Sequence, residues 1–211
     1  TLVLTGTNAY TGDTVVAGGT LRAGSASAFG PPDNYMTVNG GATLELGGFD
    51  ISAGALVGSG TVDLGANTFT SAQGPGTFSG TITGSGGFTR GAGSYTQVLS
   101  GCNNDYTGAT TINSALSVDC IADGGVASRI GASTSDAANL VFNGGVLTYT
   151  GGSVTTDRGF TLAAGASSIN VWQAGTTLEF EGPAGGGGSL QKLVDGTLVL
   201  SGNNTYTGTT F

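Results

Sequence analysis

The stretch Leu198-Val199-Leu200-Ser201-Gly202-Asn203-Asn204-Thr205-Tyr206-Thr207-Gly208 repeats an earlier one, Leu2-Val3-Leu4-Thr5-Gly6-Thr7-Asn8-Ala9-Tyr10-Thr11-Gly12. A middle copy, Gln97-Val98-Leu99-Ser100-Gly101-Cys102-Asn103-Asn104-Asp105-Tyr106-Thr107-Gly108, carries one extra residue in its turn. The copies are spaced by roughly 96 to 100 residues, a long period that points to a repetitive architecture rather than a set of unrelated small domains. Weaker pairs agree, such as Val38-Asn39-Gly40-Gly41 against Phe142-Asn143-Gly144-Gly145. The chain therefore reads as one segment made of two long repeats, residues 1–96 and 97–196, plus the start of a third at 197–211. Because it starts and stops inside equivalent motifs, it reads as a piece of a larger protein.

Between the motifs lie short strand-like runs bounded by Gly, Asn, Ser and Asp, such as Thr43-Leu44-Glu45-Leu46, Thr61-Val62-Asp63-Leu64 and Thr177-Leu178-Glu179-Phe180-Glu181. Their alternation places Leu44, Leu46, Val62, Leu64, Leu178 and Phe180 on one face and Glu45, Asp63, Glu179 and Glu181 on the other, as a wall with one buried side requires. A single turn of about 22 residues cannot bury enough apolar surface to offset the ordering of its backbone, so turns must stack and share a core. The predicted fold is all-β, a right-handed parallel β-helix (solenoid) of about nine to ten rungs at the ~4.8 Å strand spacing. Asn39-Gly40-Gly41 and Asn143-Gly144-Gly145 also read as hairpin turns, which would give an antiparallel sandwich. That alternative leaves the long-range repetition without a cause.

Composition narrows the chemistry. The net charge is −8 and the five basic residues are scattered, so no stripe exists to neutralise a phosphate backbone and nucleic acid is not an expected partner. No apolar run reaches the ~18 to 20 residues of a membrane-crossing helix, and the first residues have no basic leader region. There is no His, which removes Ser-His-Asp and Cys-His catalysis and His-ligated metal sites from this segment. No catalytic residue, metal site or cofactor is expected. Glu179 and Glu181 share a strand face, with Arg158 considered as a charge partner one rung earlier, but no second acid pair is found a rung away; an outward, solvated face explains them.

Cys102 and Cys120 are the only cysteines, and their spacing is close to one rung. Stacking brings such positions to ~5 Å between Cα atoms, within reach of a disulfide, which the sequence predicts here with a stabilisation of about 3 kcal/mol. Tyr10, Tyr106 and Tyr206 recur at equivalent places and read either as corner packing or as an exposed ladder for sugars. Trp172 reads as core filler or contact residue. The least repetitive stretches, 23–35 and 121–138, are expected to protrude as loops, and loops on a rigid scaffold carry recognition. Tyr35, Asp33, Asp123 and Arg129, together with Trp172, are the candidate contact residues.

The run from Gly187-Gly188-Ser189-Leu190-Gln191-Lys192 through Gly196-Thr197-Leu198-Val199-Leu200-Ser201-Gly202 to Tyr206-Thr207-Gly208 closely resembles the autotransporter-associated β-strand repeat, also called the passenger-associated transport repeat. The copy at 87–113 departs most, with Phe88-Thr89-Arg90 where the repeat has Leu-x-Lys. The resemblance implies a type V secreted passenger that folds outside a Gram-negative cell as a β-helix, in a parent anchored by an outer-membrane barrel. It also implies adhesion to a host-cell surface or an extracellular-matrix protein or glycan. A carbohydrate-active β-helix and a spacer or export module are the alternatives.

Overall fold

The computed structural model describes residues Thr1–Phe211. Its 24 strands are three to six residues long, and the one helical element is a single 3-10 turn, Ala137–Asn139. Strands this short follow from the sequence: β-branched and apolar residues alternate over three to six positions and then meet Gly, Asn or Ser, which turn the chain. Strand-to-strand pairing is parallel throughout and joins each strand to the equivalent one a rung away. The chain is thus a parallel β-helix of about nine turns.

Each turn runs over three walls. Wall I holds Leu2–Leu4, Thr20–Ala23, Thr43–Glu45, Thr61–Asp63 and Thr81–Thr83 and, after an interruption, Val154–Thr156, Thr177–Phe180 and Thr197–Leu200. Wall II holds the seven strands Ile51–Ala53, Phe69–Ser71, Phe88–Arg90, Thr110–Ile112, Leu140–Asn143, Phe160–Ala164 and Ala184–Gly186. Wall III is the unbroken one, with nine strands from Thr14–Val16 to Ser189–Gln191.

Register stacks like on like. On wall I, Leu21, Leu44, Val62 and Ile82 form one inward row, while Arg22, Glu45, Asp63 and Thr83 face out beside the row Thr20, Thr43, Thr61 and Thr81. The inward rows merge into one core of 38 buried residues that runs the length of the rod. Within it, Phe142, Phe160 and Phe180 form an edge-to-face column with centroids 5.5 and 5.2 Å apart. Such columns bury large area while their ring edges meet ring faces.

The three motif copies do not sit alike. The outer two begin on wall I, with Leu2–Leu4 and Thr197–Leu200, and continue to wall III, where Thr14–Val16 lies and Thr210 pairs with Leu190. The middle copy begins one wall earlier, with Gln97–Leu99 on wall III and Thr110–Ile112 on wall II. Its turn, carrying the extra residue, therefore falls on wall I and opens the gap between Thr81–Thr83 and Val154–Thr156.

The stretches 23–35 and 121–138, expected to protrude, instead lie against the rod. Ala28, Phe29 and Asn34 of the first and Ile121, Ser128, Arg129, Ile130 and Ser133 of the second are buried. Both supply irregular chain to close a turn where a regular strand is missing, so their centres face inward.

Candidate functional site

The gap in wall I interrupts a ladder that has strands on both sides of it, and there polar side chains take over the work of strands. Asn104 stands above Ile82: its Oδ1 accepts from the Ile82 amide at 2.8 Å, while the Asp105 amide donates to the Ile82 carbonyl at 3.1 Å. The chain then passes along wall III, enters the gap at Asp119 and doubles back, so that Ser128 pairs antiparallel with Asn104. Cys102 and Cys120 are joined by a disulfide across successive rungs at this corner, with Cα atoms 5.5 Å apart.

Two buried arginines hold the returning chain. Arg158 donates from Nε to the Ala122 carbonyl (2.8 Å), from Nη1 to Ser133 Oγ (2.9 Å) and from Nη2 to the carbonyls of Gly131 (2.9 Å) and Asp123 (3.3 Å). Arg129 donates to the Gly80 carbonyl at 3.0 Å, and its Nε, otherwise without a partner, lies 3.7 Å from Asp119 Oδ1. Asp119 in turn accepts the Gly101 amide with both oxygens. Burial lowers both guanidinium pKa values, opposed at Arg129 by Asp119 and at Arg158 by Tyr106, Asp157 and Asp123. Carbonyl dipoles that converge on a planar five-donor group make this burial tolerable.

Arg90 does the same at the corner between walls II and III. At an inward position it donates to the Tyr95 carbonyl (2.6 Å), the Ser71 carbonyl (2.9 Å) and the Ala115 carbonyl (3.2 Å). Ser71 and Gln97 complete the network, with Gln97 bonding both backbone groups of Leu56. Lys192, at the matching place in the last copy, donates to the Val194 carbonyl. The cation of the Leu-x-Lys position therefore ties down the turn that leads into the next motif strand.

The candidate contact residues divide. Arg129 is buried and cannot meet a partner, and Arg158 is no charge partner for Glu179 or Glu181, because its head group is enclosed by the returning chain. Asp123 is exposed and receives the Asp157 amide at 3.1 Å, while the Gly124 amide donates to Asp157 at 2.7 Å, so this tip is fixed. Asp33 is exposed and accepts from Gln73 Nε2 at 2.6 Å, and Tyr35 beside it is half-buried. Trp172 is 61% exposed and lies on a different corner, where wall III leaves for wall I, with Leu193 of the next rung 62% exposed. Glu179 accepts from Ser201 Oγ at 2.7 Å on the outer face.

The repeat tyrosines each bond the threonine four residues on, Tyr10 with Thr14 (2.9 Å), Tyr106 with Thr110 (2.7 Å) and Tyr206 with Thr210 (2.7 Å). Tyr106 is fully buried, which raises its phenol well above the usual value against the opposing effects of Thr110 and Arg158. A polar groove of about 300 Å³ on the outer face of wall I is lined by Arg22, Glu45, Asp63 and three glycines. No cluster of three or more His, Cys, Asp or Glu side chains is disposed to hold a metal ion.

Sequence reasoning missed the buried arginines, yet a signal was present. Ala26-Ser27-Ala28-Phe29-Gly30 and Ala127-Ser128-Arg129-Ile130-Gly131 are copies of one another, each a rung beyond a motif asparagine. Their repetition marks 127–131 as packed chain rather than free loop.

The fold is a three-walled parallel β-helix built of recurring strand–turn units, and the chain carries the passenger-associated-transport-repeat at residues 1–23, 92–115 and 195–211. Over its whole length it is similar to one stretch of the adhesin BmaC autotransporter of Brucella suis biovar 1 (strain 1330), with 59% identity over 213 residues. The chain spans about 6% of that protein's length. No solved structure matches the chain.

Proposed function

We propose that this segment is part of a surface-displayed autotransporter passenger and mediates adhesion to host cells or extracellular matrix through an extended face of the rod. The observation that carries the reading is the 59% identity, over the whole chain, to a stretch of a protein named as an adhesin. The physical form suits the role. A rod with one continuous core holds its surface features at fixed spacing, and many weak contacts along such a face add up to avidity. The gap in wall I and the Trp172 corner offer the departures from a repeating surface on which recognition can rest, the first pinned by the disulfide and the second by exposed apolar area.

The parent would be anchored by an outer-membrane barrel, with this segment outside the cell. The test is binding of the purified chain to host-cell monolayers and to a panel of immobilised matrix proteins and neutral glycans. Saturable binding that falls about tenfold in Trp172→Ala or in a variant with the 123–127 tip replaced by glycine and serine supports the reading. Uniform failure to bind assigns this segment to spacing or export instead, and release of reducing sugar from polysaccharides would replace both readings with an enzymatic one.

A further inference from the structure

The motif edge that opens the gap in wall I is met twice in this chain by the same kind of segment. Above the first copy, Asn8 donates from its amide to Ser27 O (3.1 Å) and from Nδ2 to Ala28 O (2.7 Å). Above the middle copy, Asn104 accepts the Ser128 amide (3.1 Å) and donates from Nδ2 to Arg129 O (3.3 Å). The tyrosine carbonyl is covered in both, accepting Asn34 Nδ2 at 3.0 Å in the first and the Ala132 amide at 2.8 Å in the second. In both, the segment then turns through a left-handed glycine, Gly30 at φ +74° and Gly131 at φ +76°. A Cβ at either would lie 2.6 Å from Tyr10 O or 2.5 Å from Tyr106 O, respectively. Only glycine meets both demands, the positive φ and the closeness of the tyrosine carbonyl.

We propose that the Asn-x-Tyr edge of the repeat is a docking edge for an extended segment of pattern Ser-x-Φ-Gly, where Φ is a large apolar residue. Ser27–Gly30 and Ser128–Gly131 fill it in cis, and the third copy presents the same edge for a segment of the same chemistry. The unit is bipartite: the repeat match stops at residues 23 and 115, before both partner segments. The third copy shares the lower half of the contact, since Asn204 Oδ1 accepts the Ala184 amide at 2.8 Å just as Asn104 accepts that of Ile82. Its Nδ2 is turned to the carbonyl of Leu200 in its own strand at 3.2 Å. In the two filled copies the same group reaches the next rung. The asparagine amide thus joins the rung beneath to the rung above, and the segment that arrives must bring a carbonyl for it and a glycine for the tyrosine.

Hydrogen exchange tests the glycine's part. Gly131→Ala is compared with Gly144→Ala, whose backbone has the same hand (φ +77°) but where no atom stands within 4 Å of a new Cβ. Exchange of the Ser128 and Ala132 amides is expected to quicken about a hundredfold in Gly131→Ala and to stay unchanged in Gly144→Ala. Equal rates in the two variants would overturn the proposal. Should Gly131→Ala prevent folding, Gly30→Ala gives the same test at the Asn8 amide, in an end rung that can open alone. For the third copy, residues 16–38 are joined after Phe211. The appended segment is expected to be protected like the original 20–38, and to lose about tenfold of that protection when its own glycine carries Gly30→Ala. Exchange of the appended segment at free-chain rates, or indifference to that substitution, would sink the idea.

Discussion

The rungs from Thr20 to Thr83 and the gap between Asn104 and Asp136 solve one problem in two ways. In the first region every wall I strand has a parallel neighbour, and Leu21, Leu44, Val62 and Ile82 supply an apolar row beneath. In the second, Asn104, Arg129 and Arg158 supply donors and acceptors from side chains, and a disulfide closes the corner. Regular chain is held by many equivalent bonds, so no single one is decisive. Irregular chain depends on a few side chains, each with several partners, so it is ordered but locally vulnerable.

The largest effect is expected where one side chain carries most of the bonds. Arg158→Leu removes the charged donor shared by the carbonyls of Ala122, Asp123 and Gly131 and by Ser133 Oγ, and should destabilise by about 3 to 5 kcal/mol, measured by urea unfolding, with protection from hydrogen exchange lost first across 121–134. A comparable loss from Phe88→Ala, about 3 to 4 kcal/mol for a buried ring stacked over Phe69, should spread along the rod instead. If both substitutions produced the same exchange map, the distinction between the regions would fail.

Removing the disulfide by Cys102→Ser with Cys120→Ser should cost about 3 kcal/mol, read from the unfolding midpoint with and without reductant. Alkaline pH offers a finer probe. The folded-state pKa of Tyr106 is raised, so its contribution is complete below the ~10 of an unfolded tyrosine and is lost as pH climbs from there. Above that point the unfolded chain binds fewer protons than the native one, and stability should fall by up to ~1.4 kcal/mol per pH unit. Tyr106→Phe should reduce the slope to the share of Tyr149, whose phenol pKa burial also raises. Smallest of all is Arg22→Ala: the exposed pair with Glu45, 3.9 Å apart in the regular region, should matter by about 0.5 kcal/mol or less in the same urea assay.

What the sequence made legible follows the same division. Period-two alternation exposed the faces of Thr43–Glu45, Thr61–Asp63 and Thr177–Phe180, because a wall with one dry side leaves no other arrangement for Leu44, Val62 and Leu178. The recurrence of the motif exposed the stacking. Spacing alone placed Cys102 and Cys120 a rung apart. The gap was illegible for a physical reason: an arginine is read as surface unless the carbonyls that cage it are known, and those of Ala122, Gly131 and Ala115 converge only in three dimensions. The shift of the middle copy by one wall was hidden too, since its local pattern is unchanged and only the count of residues per turn differs. Of the proposed contact residues, Trp172, Asp33 and Asp123 reach solvent, Tyr35 does so in part and Arg129 does not.

Three of the five basic side chains, Arg90, Arg129 and Arg158, are spent inside the rod, while none of the 13 carboxylates is buried. An approaching molecule therefore meets Arg22 and Lys192 against the whole acidic complement, a surface more anionic than the formal −8 conveys. Sulfated or otherwise polyanionic sugars are repelled by such a face, and cationic patches are drawn to it with an attraction that salt weakens.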